Sequence, residues 1–294
     1  MKKSEETIDA LGLWNMGDGS FHSLLSPSAA KAIIRKAWKE GIRAFDSAFS
    51  YREADSLLYS ALREMNAERC DYAIWSKVMA VPTLERKALS SLKRLGTDHF
   101  DILMLHWPTN DENLFPALKT LERMKDEGKT IEIGVSNFPL PLLEKVSRDF
   151  QLSYHERPLS LIWTREWEEE RKLSLKTIAY GPGGLGLLGG KYSHQTPPQD
   201  RRQDNEAFKS EYFPILIDKM KEIALKHSLT LYETAYSFVY SMNPWAIVRG
   251  IGKAEDTKIR KCVLDQEDMD SLSSLSSLIV STYSKDNIFA HSWS

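Results

Sequence analysis

The feature that most constrains this 294-residue chain is a repeated alternation of short apolar runs with amphipathic helical patterns. The runs are nearly continuous in apolar residues, which is typical of parallel strands that are covered on both faces. Eight such runs with helices between most of them predict a (β/α)8 TIM barrel of the α/β class rather than an open, doubly wound sheet. The predicted strands lie at residues 11–14, 43–46, 72–77, 101–106, 131–136, 159–163, 177–180 and 246–249.

The helical patterns between these runs carry their own start and stop signals. Ser26 suits the N-cap of the first helix, Pro27 suits its first position, and Gly41 is placed to end it. Further helical patterns cover residues 53–65, 83–95, 114–127 and 214–227, and the stretch at 271–277 predicts a terminal helix. We expect one domain over residues 1–294, because α/β barrels routinely reach this length as a single domain.

Composition and charge limit the kinds of partner that this protein is expected to bind. Hydrophobic residues make up 42% of the chain, charged residues 27%, and the formal net charge is -2, so no basic excess favours nucleic acid or an anionic membrane. Cys70 and Cys262 form neither a disulfide framework nor a metal-ligand spacing. The N-terminus runs into acidic residues without an apolar signal core. We therefore expect a cytoplasmic protein that acts on a small molecule and binds no metal, and the sequence predicts no oligomeric state.

Polar residues that end the apolar runs are the candidates for chemistry, because barrels of this class build their active sites at the C-terminal ends of the strands. Taken singly, each has an ordinary structural explanation, such as a cap, a solvated charge or a satisfied histidine. Their convergence on one barrel mouth is the signal. The residues are Asp46, Lys77, His106, Ser136, Asn137 and Tyr180, with Tyr51 five positions after Asp46.

Four of these groups form a chemically coherent set. A tyrosine has an unperturbed pKa near ~10, too high for efficient acid–base work at neutral pH. An ammonium such as Lys77 favours the phenolate and lowers that pKa, and a carboxylate such as Asp46 can hold the lysine charged and in place. A histidine such as His106 can hydrogen-bond a carbonyl oxygen. Together with Tyr51 they predict a proton donor beside an electrophilic clamp, as carbonyl reduction requires.

Four segments in this order resemble the aldo-keto reductases: GIRAFDSAFSY at 41–51, LHWP at 105–108, GVSNF at 134–138 and AYGP at 179–182. The resemblance extends from about residue 11 to about residue 259. It implies that the family's catalytic tetrad is intact here, as Asp46, Tyr51, Lys77 and His106. Tyr51 would donate the proton, Lys77 paired with Asp46 would tune it, and His106 would orient the carbonyl.

The resemblance also implies a nicotinamide cofactor that supplies the hydride. Ser136 and Asn137 would hold its carboxamide and Tyr180 would stack on its ring, while Trp14 and Trp107 would line the substrate mouth. Taken alone, the two tryptophans would be core aromatics. The glycine-rich stretch at 183–186, taken alone, would as readily be a plain turn. The further cofactor contacts implied are Gly183, Gly184, Leu185 and Gly186 near the pyrophosphate, and Gly250, Lys253 and Asp256 after the eighth strand.

The cofactor end departs from the family pattern. Ile251 stands where a hydroxyl is common, and Asp256 where Arg or Gln is common. The usual cofactor of the family is NADP(H), but an acidic side chain repels a 2'-phosphate and can bond a free ribose hydroxyl, so NAD(H) is an alternative. Lys253 or Arg249 can still supply positive charge. The family's carboxamide-binding Gln falls near Arg157.

The function predicted is therefore nicotinamide-dependent reduction of an aldehyde or ketone, sugar-like carbonyls included, to an alcohol. The alternative is a non-catalytic or regulatory barrel of the same family with a weakened cofactor site, which the unusual Ile251 and Asp256 motivate. Lyase or isomerase chemistry on a sugar is a third class, for which the sequence offers neither paired catalytic carboxylates nor a metal cluster. The polar segment at 192–211 predicts a long mobile loop, either a ligand cover or plain surface.

Overall fold

The computed structural model of the chain describes residues 6–17, 25–109 and 111–283. Its eight strands are all parallel and form a closed barrel in chain order, so the predicted (β/α)8 barrel is confirmed. The barrel closes where the first and the last strand pair, with Ile8 opposite Ala246 and Gly12 opposite Gly250. The strands are β1 (Ile8–Gly12), β2 (Ala44–Asp46), β3 (Ala73–Val78), β4 (Phe100–Leu105), β5 (Thr130–Ser136), β6 (Tyr154–Pro158), β7 (Lys176–Tyr180) and β8 (Ala246–Gly250).

The helices surround the barrel and follow the capping rules read from the sequence. Ser26 accepts a hydrogen bond from the backbone N–H of Ala29 at 3.3 Å, and Pro27 opens the first long helix as predicted. None of the helices in the described ranges is long and apolar enough to cross a membrane. The helices are α1 (Trp14–Gly17), α2 (Pro27–Lys39), α3 (Ala54–Glu64), α4 (Leu84–Leu95), α5 (Asp111–Asp126), α6 (Leu140–Asp149), α7 (Trp167–Glu170), α8 (Glu206–Lys209), α9 (Tyr212–His227), α10 (Leu231–Ser241) and α11 (Gln266–Ser281).

The apolar core has two layers. Side chains from the outer strand faces and the inner helix faces pack together around the barrel, as in the contact of Leu11 and Phe45 with α2 and α3 residues. Inward-pointing side chains fill the barrel itself, among them the aromatic rings of Trp75 and Tyr154. A filled barrel is a solid support rather than a pore, so a ligand can bind only at its ends.

Two of the predicted strands are misplaced. The first was expected at 11–14 but lies at Ile8–Gly12, and Trp14 begins the short helix α1. The sixth was expected at 159–163 but lies at Tyr154–Pro158. That strand contains His155, Glu156 and Arg157, all buried, whose charged or polar ends are accommodated by ion pairs and hydrogen bonds instead of solvent. The apolar run after it packs in the outer layer and is not a strand of the barrel.

The segment at 192–211 has more structure than the expected mobile loop. It contains a 3-10 turn at Arg201–Asp204 and the helix α8. Arg202 is 7% exposed, and its guanidinium donates to the backbone carbonyl of Leu185 at 3.1 Å and pairs with Asp200. The segment is therefore anchored to the glycine-rich turn that follows β7.

Candidate active site

The strand ends are held in register by backbone hydrogen bonds that continue the barrel ladder into the loops. The N–H of Ser47 donates to the Trp75 carbonyl at 2.8 Å, and the N–H of His106 donates to the Val78 carbonyl at 2.9 Å. On the far side, the N–H of Asn137 donates to the Glu156 carbonyl at 2.9 Å. Side chains at these positions are thus supported by rigid strands and not by free loops, which favours precise placement of reacting groups.

Tyr51 lies on a 3-10 turn, Phe49–Tyr51, directly above the end of β2. Gly17 touches this turn so closely that a Cβ on it would lie 1.5 Å from the Tyr51 carbonyl oxygen, so only glycine fits there. Behind the turn, the buried Asp55 accepts hydrogen bonds from Ser47 at 2.7 Å and from Ser91 at 2.5 Å. Neighbouring backbone and a buried carboxylate therefore hold the segment that carries the phenol.

A cluster of three buried charged groups lies beneath the barrel mouth. The Lys77 ammonium is 2.5 Å from an oxygen of Asp46, and 3.0 and 3.1 Å from the two oxygens of Glu156. The side chains are 1%, 5% and 3% exposed, respectively. Two carboxylates therefore share one ammonium in an almost wholly buried site, where their charges are only weakly screened. We refer to Asp46, Lys77 and Glu156 as the lysine cluster.

The charges of the lysine cluster act strongly on one another. Burial by itself would lower the pKa of Lys77, but the two carboxylates outweigh it and hold that pKa above its ordinary value. Burial raises the pKa of Asp46 despite the neighbouring ammonium. Burial, and then the charge of Asp46, raise the pKa of Glu156 to about 8. The cluster consequently keeps one proton on its carboxyl pair at neutral pH, with a net charge near zero.

Tyr51 and His106 lie above the lysine cluster. The Lys77 nitrogen is 5.8 Å from the centre of the Tyr51 ring, and the rings of Tyr51 and His106 meet edge to face with centres 5.9 Å apart. Burial, and then the charge of Lys77, lower the pKa of His106 to about 3. His106 is therefore neutral at physiological pH, so it can donate a hydrogen bond to an oxygen but cannot act as a cationic acid.

Asn137 connects the ends of β4, β5 and β7. It has a left-handed backbone conformation, with φ of +64°, which asparagine tolerates better than most residues. Its side-chain amide donates to the His106 carbonyl and to the Ser136 hydroxyl, each at 3.0 Å, and accepts a hydrogen bond from the Tyr180 hydroxyl at 2.7 Å. The amide thus fixes the Tyr180 ring at the wall of the mouth.

A cavity of about 800 Å³ opens at this end of the barrel. Nearly all the residues predicted for the site line this cavity. The exceptions are Lys77, Ser136 and Gly184, which are buried and do not reach its surface. Asn15, Leu25, Met79, Glu156 and Tyr232 also line it and were not predicted. The predicted residues on its surface are Trp14, Asp46, Tyr51, His106, Trp107, Asn137, Tyr180, Gly183, Leu185, Gly186, Gly250, Lys253 and Asp256.

The shape of this cavity fits an extended cofactor. Its volume lies within the range of about 300–1,000 Å³ that is usual for ligand and cofactor sites. Bare backbone lines its middle, where a Cβ on Gly183 would lie 2.7 Å from the Tyr232 ring and Gly186 has φ of +84°. A cleft with aromatic walls at one end and glycine backbone in the middle can take a planar ring and a pyrophosphate.

The far end of the cavity carries one cation and one anion. Lys253 and Asp256 both line it and are exposed. Arg249, considered above as a source of positive charge, lies elsewhere. Its guanidinium is 1% exposed, 2.8 and 2.9 Å from the two oxygens of Asp9, and donates to the Thr257 carbonyl at 2.9 Å. Arg249 therefore supports the loop after β8, and the expectation that it could face a phosphate is wrong.

Glu156 is the residue that the sequence analysis missed. The carboxamide-binding position was aligned near Arg157, but Arg157 points out of the barrel, pairs with Glu170 and donates to the Arg165 carbonyl. Its neighbour Glu156 lines the cavity instead. Successive residues of β6 face opposite sides of the strand, so an alignment that is shifted by one residue exchanges the two faces.

Comparisons with known proteins identify the family of this chain. The model of the Aldo/keto reductase family matches residues 10–277. An aldo-keto reductase from Strobilurus tenacellus is 23% identical over 271 residues, which cover 83% of this chain and 79% of that protein. The methylglyoxal reductase DkgB from Escherichia coli is 33% identical over 144 residues, 47% of this chain and 51% of that protein.

Among solved structures, a glycerol dehydrogenase from Gluconobacter oxydans superposes with a TM-score of 0.81 at 22% identity. The superposition covers 97% of this chain and 95% of that one. At this level of identity the likeness supports the fold and leaves the substrate open.

Proposed function

Because this chain belongs to the aldo/keto reductase family, whose members are oxidoreductases that use NAD(P)H, we propose that it reduces an aldehyde or ketone to an alcohol with Tyr51 as the proton donor. The observation that carries the proposal is the arrangement at the mouth. A phenol lies above a buried ammonium and beside a neutral imidazole, all around one cavity that has room for a cofactor and a substrate.

Each residue at the barrel mouth has a separate role in the proposed reaction. The nicotinamide, when bound, supplies the hydride that reaches the carbonyl carbon. Neutral His106 donates a hydrogen bond that holds the carbonyl oxygen and polarises it. Tyr51 transfers its phenolic proton to that oxygen, and the Lys77 ammonium stabilises the phenolate that remains. Asp46 holds Lys77 in place at 2.5 Å.

The cavity wall would hold the cofactor in three parts. The Tyr180 ring, fixed by Asn137, would face the nicotinamide. The glycine backbone from Gly183 to Gly186 would approach the pyrophosphate. Buried Ser136 would act through Asn137, whose amide donates to its hydroxyl, and not by direct contact.

The substrate would lie between Tyr51, His106 and an apolar wall. Trp14, Trp107 and Met79 line that part of the cavity. Apolar walls favour carbonyl compounds with an aromatic or aliphatic body, because burial of apolar surface drives their binding. We therefore expect such aldehydes to have a higher kcat/KM than open-chain sugars.

The test is a cofactor titration followed by an assay of carbonyl reduction, with Tyr51→Phe as the matched variant. Saturable quenching of tryptophan fluorescence by NADH or NADPH should occur in both proteins with similar dissociation constants. Loss of the proton donor should lower kcat for reduction by about 10²–10⁴-fold. Undiminished turnover in Tyr51→Phe would remove Tyr51 from the mechanism. No binding of either cofactor would favour a non-catalytic, regulatory barrel instead.

A further inference from the structure

The lysine cluster contains one more carboxylate than its ammonium can neutralise. Lys77 comes from β3, Asp46 from β2 and Glu156 from β6, on the opposite side of the barrel. Glu156 contacts Lys77 with both oxygens, and it also lines the cavity. A carboxylate in this position offsets the electrostatic effect of Lys77 on neighbouring groups, in addition to holding the lysine in place.

We propose that Glu156 is a positioning residue that sets the pH range over which Tyr51 keeps its proton, by cancelling part of the charge of Lys77. The ammonium favours the phenolate form of Tyr51, whereas an ionised Glu156 disfavours it. Ionisation of Glu156 thus keeps Tyr51 a proton donor at alkaline pH. It also restricts the reverse reaction, alcohol oxidation, to more alkaline solutions, because oxidation needs Tyr51 as a base.

The other titratable groups near the lysine cluster cannot take over this electrostatic role of Glu156. His106 stays neutral, and burial followed by the charge of Glu156 raises the pKa of Tyr180 well above its ordinary range, so neither changes charge near neutral pH. Burial and the charge of Asp46 raise the pKa of Glu156 to about 8, so at more alkaline pH Glu156 is ionised and opposes the ammonium of Lys77. Among the described residues, the titratable and charged groups that face this region are Asp46, Lys77, Tyr51, His106 and Tyr180, and Arg157 acts on Tyr180 from the other face of β6.

Glu156→Gln is the matched substitution, because a glutamine copies the size and the donor of a protonated glutamate but cannot ionise. Glu156→Asp is the control that restores the charge. The titration of Tyr51 is followed by NMR on protein with tyrosine isotopically labelled at the ring carbon that bears the hydroxyl, and Tyr51→Phe assigns the signal. We expect the midpoint of Tyr51 to fall by about one pH unit in Glu156→Gln and to return toward the wild-type value in Glu156→Asp.

The same shift should appear in the reaction. In Glu156→Gln, the rise of alcohol oxidation with pH and the alkaline decline of reduction should both move to lower pH by the same amount. A purely structural role would lower kcat without moving these midpoints. Superimposable titrations of wild type and Glu156→Gln would overturn the proposal.

The proposal rests on the proposed function for its effect on reduction and oxidation, but the NMR titration needs no turnover. A protein that shows the Tyr51 shift and reduces no carbonyl compound would refute the function and leave the electrostatic role of Glu156 standing. If Glu156→Gln does not fold, the protonation of Glu156 can be followed in the wild-type protein by the infrared C=O band of a protonated carboxyl group. As the pH rises, that band should be lost before Tyr51 ionises in the NMR titration, and a band that persists through the Tyr51 midpoint would contradict the proposal.

Discussion

At the scale of single residues, the far end of the cavity presents Lys253 and Asp256 as an opposed pair of charges. With Arg249 committed to Asp9 and to the Thr257 carbonyl, Lys253 is the one lysine or arginine among the described residues that line the cavity. Asp256 repels such a phosphate and can accept a hydrogen bond from a free ribose hydroxyl. We therefore expect the chain to bind NADH at least as tightly as NADPH.

Asp256→Arg should reverse that preference. Replacing the carboxylate with a guanidinium removes a repulsion and adds a bidentate phosphate ligand, so the ratio of the NADH and NADPH dissociation constants should change by about tenfold or more. Fluorescence titrations with both cofactors measure the ratio. Glu255→Arg, which makes the same charge change one position away at a side chain outside the cavity lining, is the control. An unchanged ratio in Asp256→Arg would place the 2'-phosphate elsewhere.

His106 gives a prediction about pH. Because burial and the charge of Lys77 lower its pKa to about 3, the imidazole stays neutral throughout the range in which an unperturbed histidine titrates. The rate of reduction should therefore show no decline near pH 6.5 that is due to this residue. An NMR titration of the histidine ring protons, with His106→Asn to assign the signal, checks this. A midpoint between pH 6 and 7 for His106 would show that Lys77 acts on it far less than the geometry indicates.

At the scale of elements, Arg202 attaches the segment at 192–211 to the glycine-rich turn, while Ala207 and Phe208 of the same segment pack in the core. Arg202→Ala removes the hydrogen bond to the Leu185 carbonyl and the pair with Asp200, so the segment should separate from the glycine-rich turn. We expect faster proteolysis within 192–211 and cofactor affinity weaker by about tenfold, as for the loss of a charged hydrogen bond. Lys209→Ala, an exposed change in the same segment, should alter neither. Equal proteolysis rates in Arg202→Ala and wild type would contradict the anchoring role.

The strands also show which parts of the fold could be predicted from the sequence. Strands β2, β3, β4 and β5 are largely apolar runs with a polar residue at or next to their C-terminal end, so periodicity and strand-end chemistry located Asp46, Lys77 and His106 together. Strand β6 was misplaced because its buried charges make it resemble a loop, while the apolar run that follows it belongs to the outer layer. Partners on distant strands explain those charges, and no local pattern reveals such partners. Glu156 was missed for this reason.

At the scale of the whole molecule, the lysine cluster makes stability depend on pH. The folded protein keeps a proton on Glu156 up to about pH 8, whereas the unfolded chain releases it near pH 4.3. Between these values the folded state binds more protons, so the free energy of unfolding falls as the pH rises. The charge of Lys77 does not change in this window, because its pKa is held above the ordinary value.

Glu156→Gln should therefore be more stable than wild type, by a margin that grows with pH. The difference in the free energy of unfolding should increase by about 1 kcal/mol per pH unit between about pH 5 and pH 8 and then level off. Urea unfolding followed by tryptophan fluorescence at several pH values measures it. A difference that stays constant across this window would mean that Glu156 is already ionised in the folded protein.

The separation of these residues along the chain has a consequence for how the protein is built. Lys77 and Asp46 are 31 positions apart, but Lys77 and Glu156 are 79 apart. During synthesis the strands β2 and β3 emerge well before β6, and their ammonium and carboxylate can associate as a balanced pair. The second carboxylate arrives only when β6 joins them, after more than half of the chain has been made. Glu156, to which we assign the control of Tyr51, is thus the last member of the lysine cluster to be synthesised, and a nascent half-barrel contains only the balanced pair.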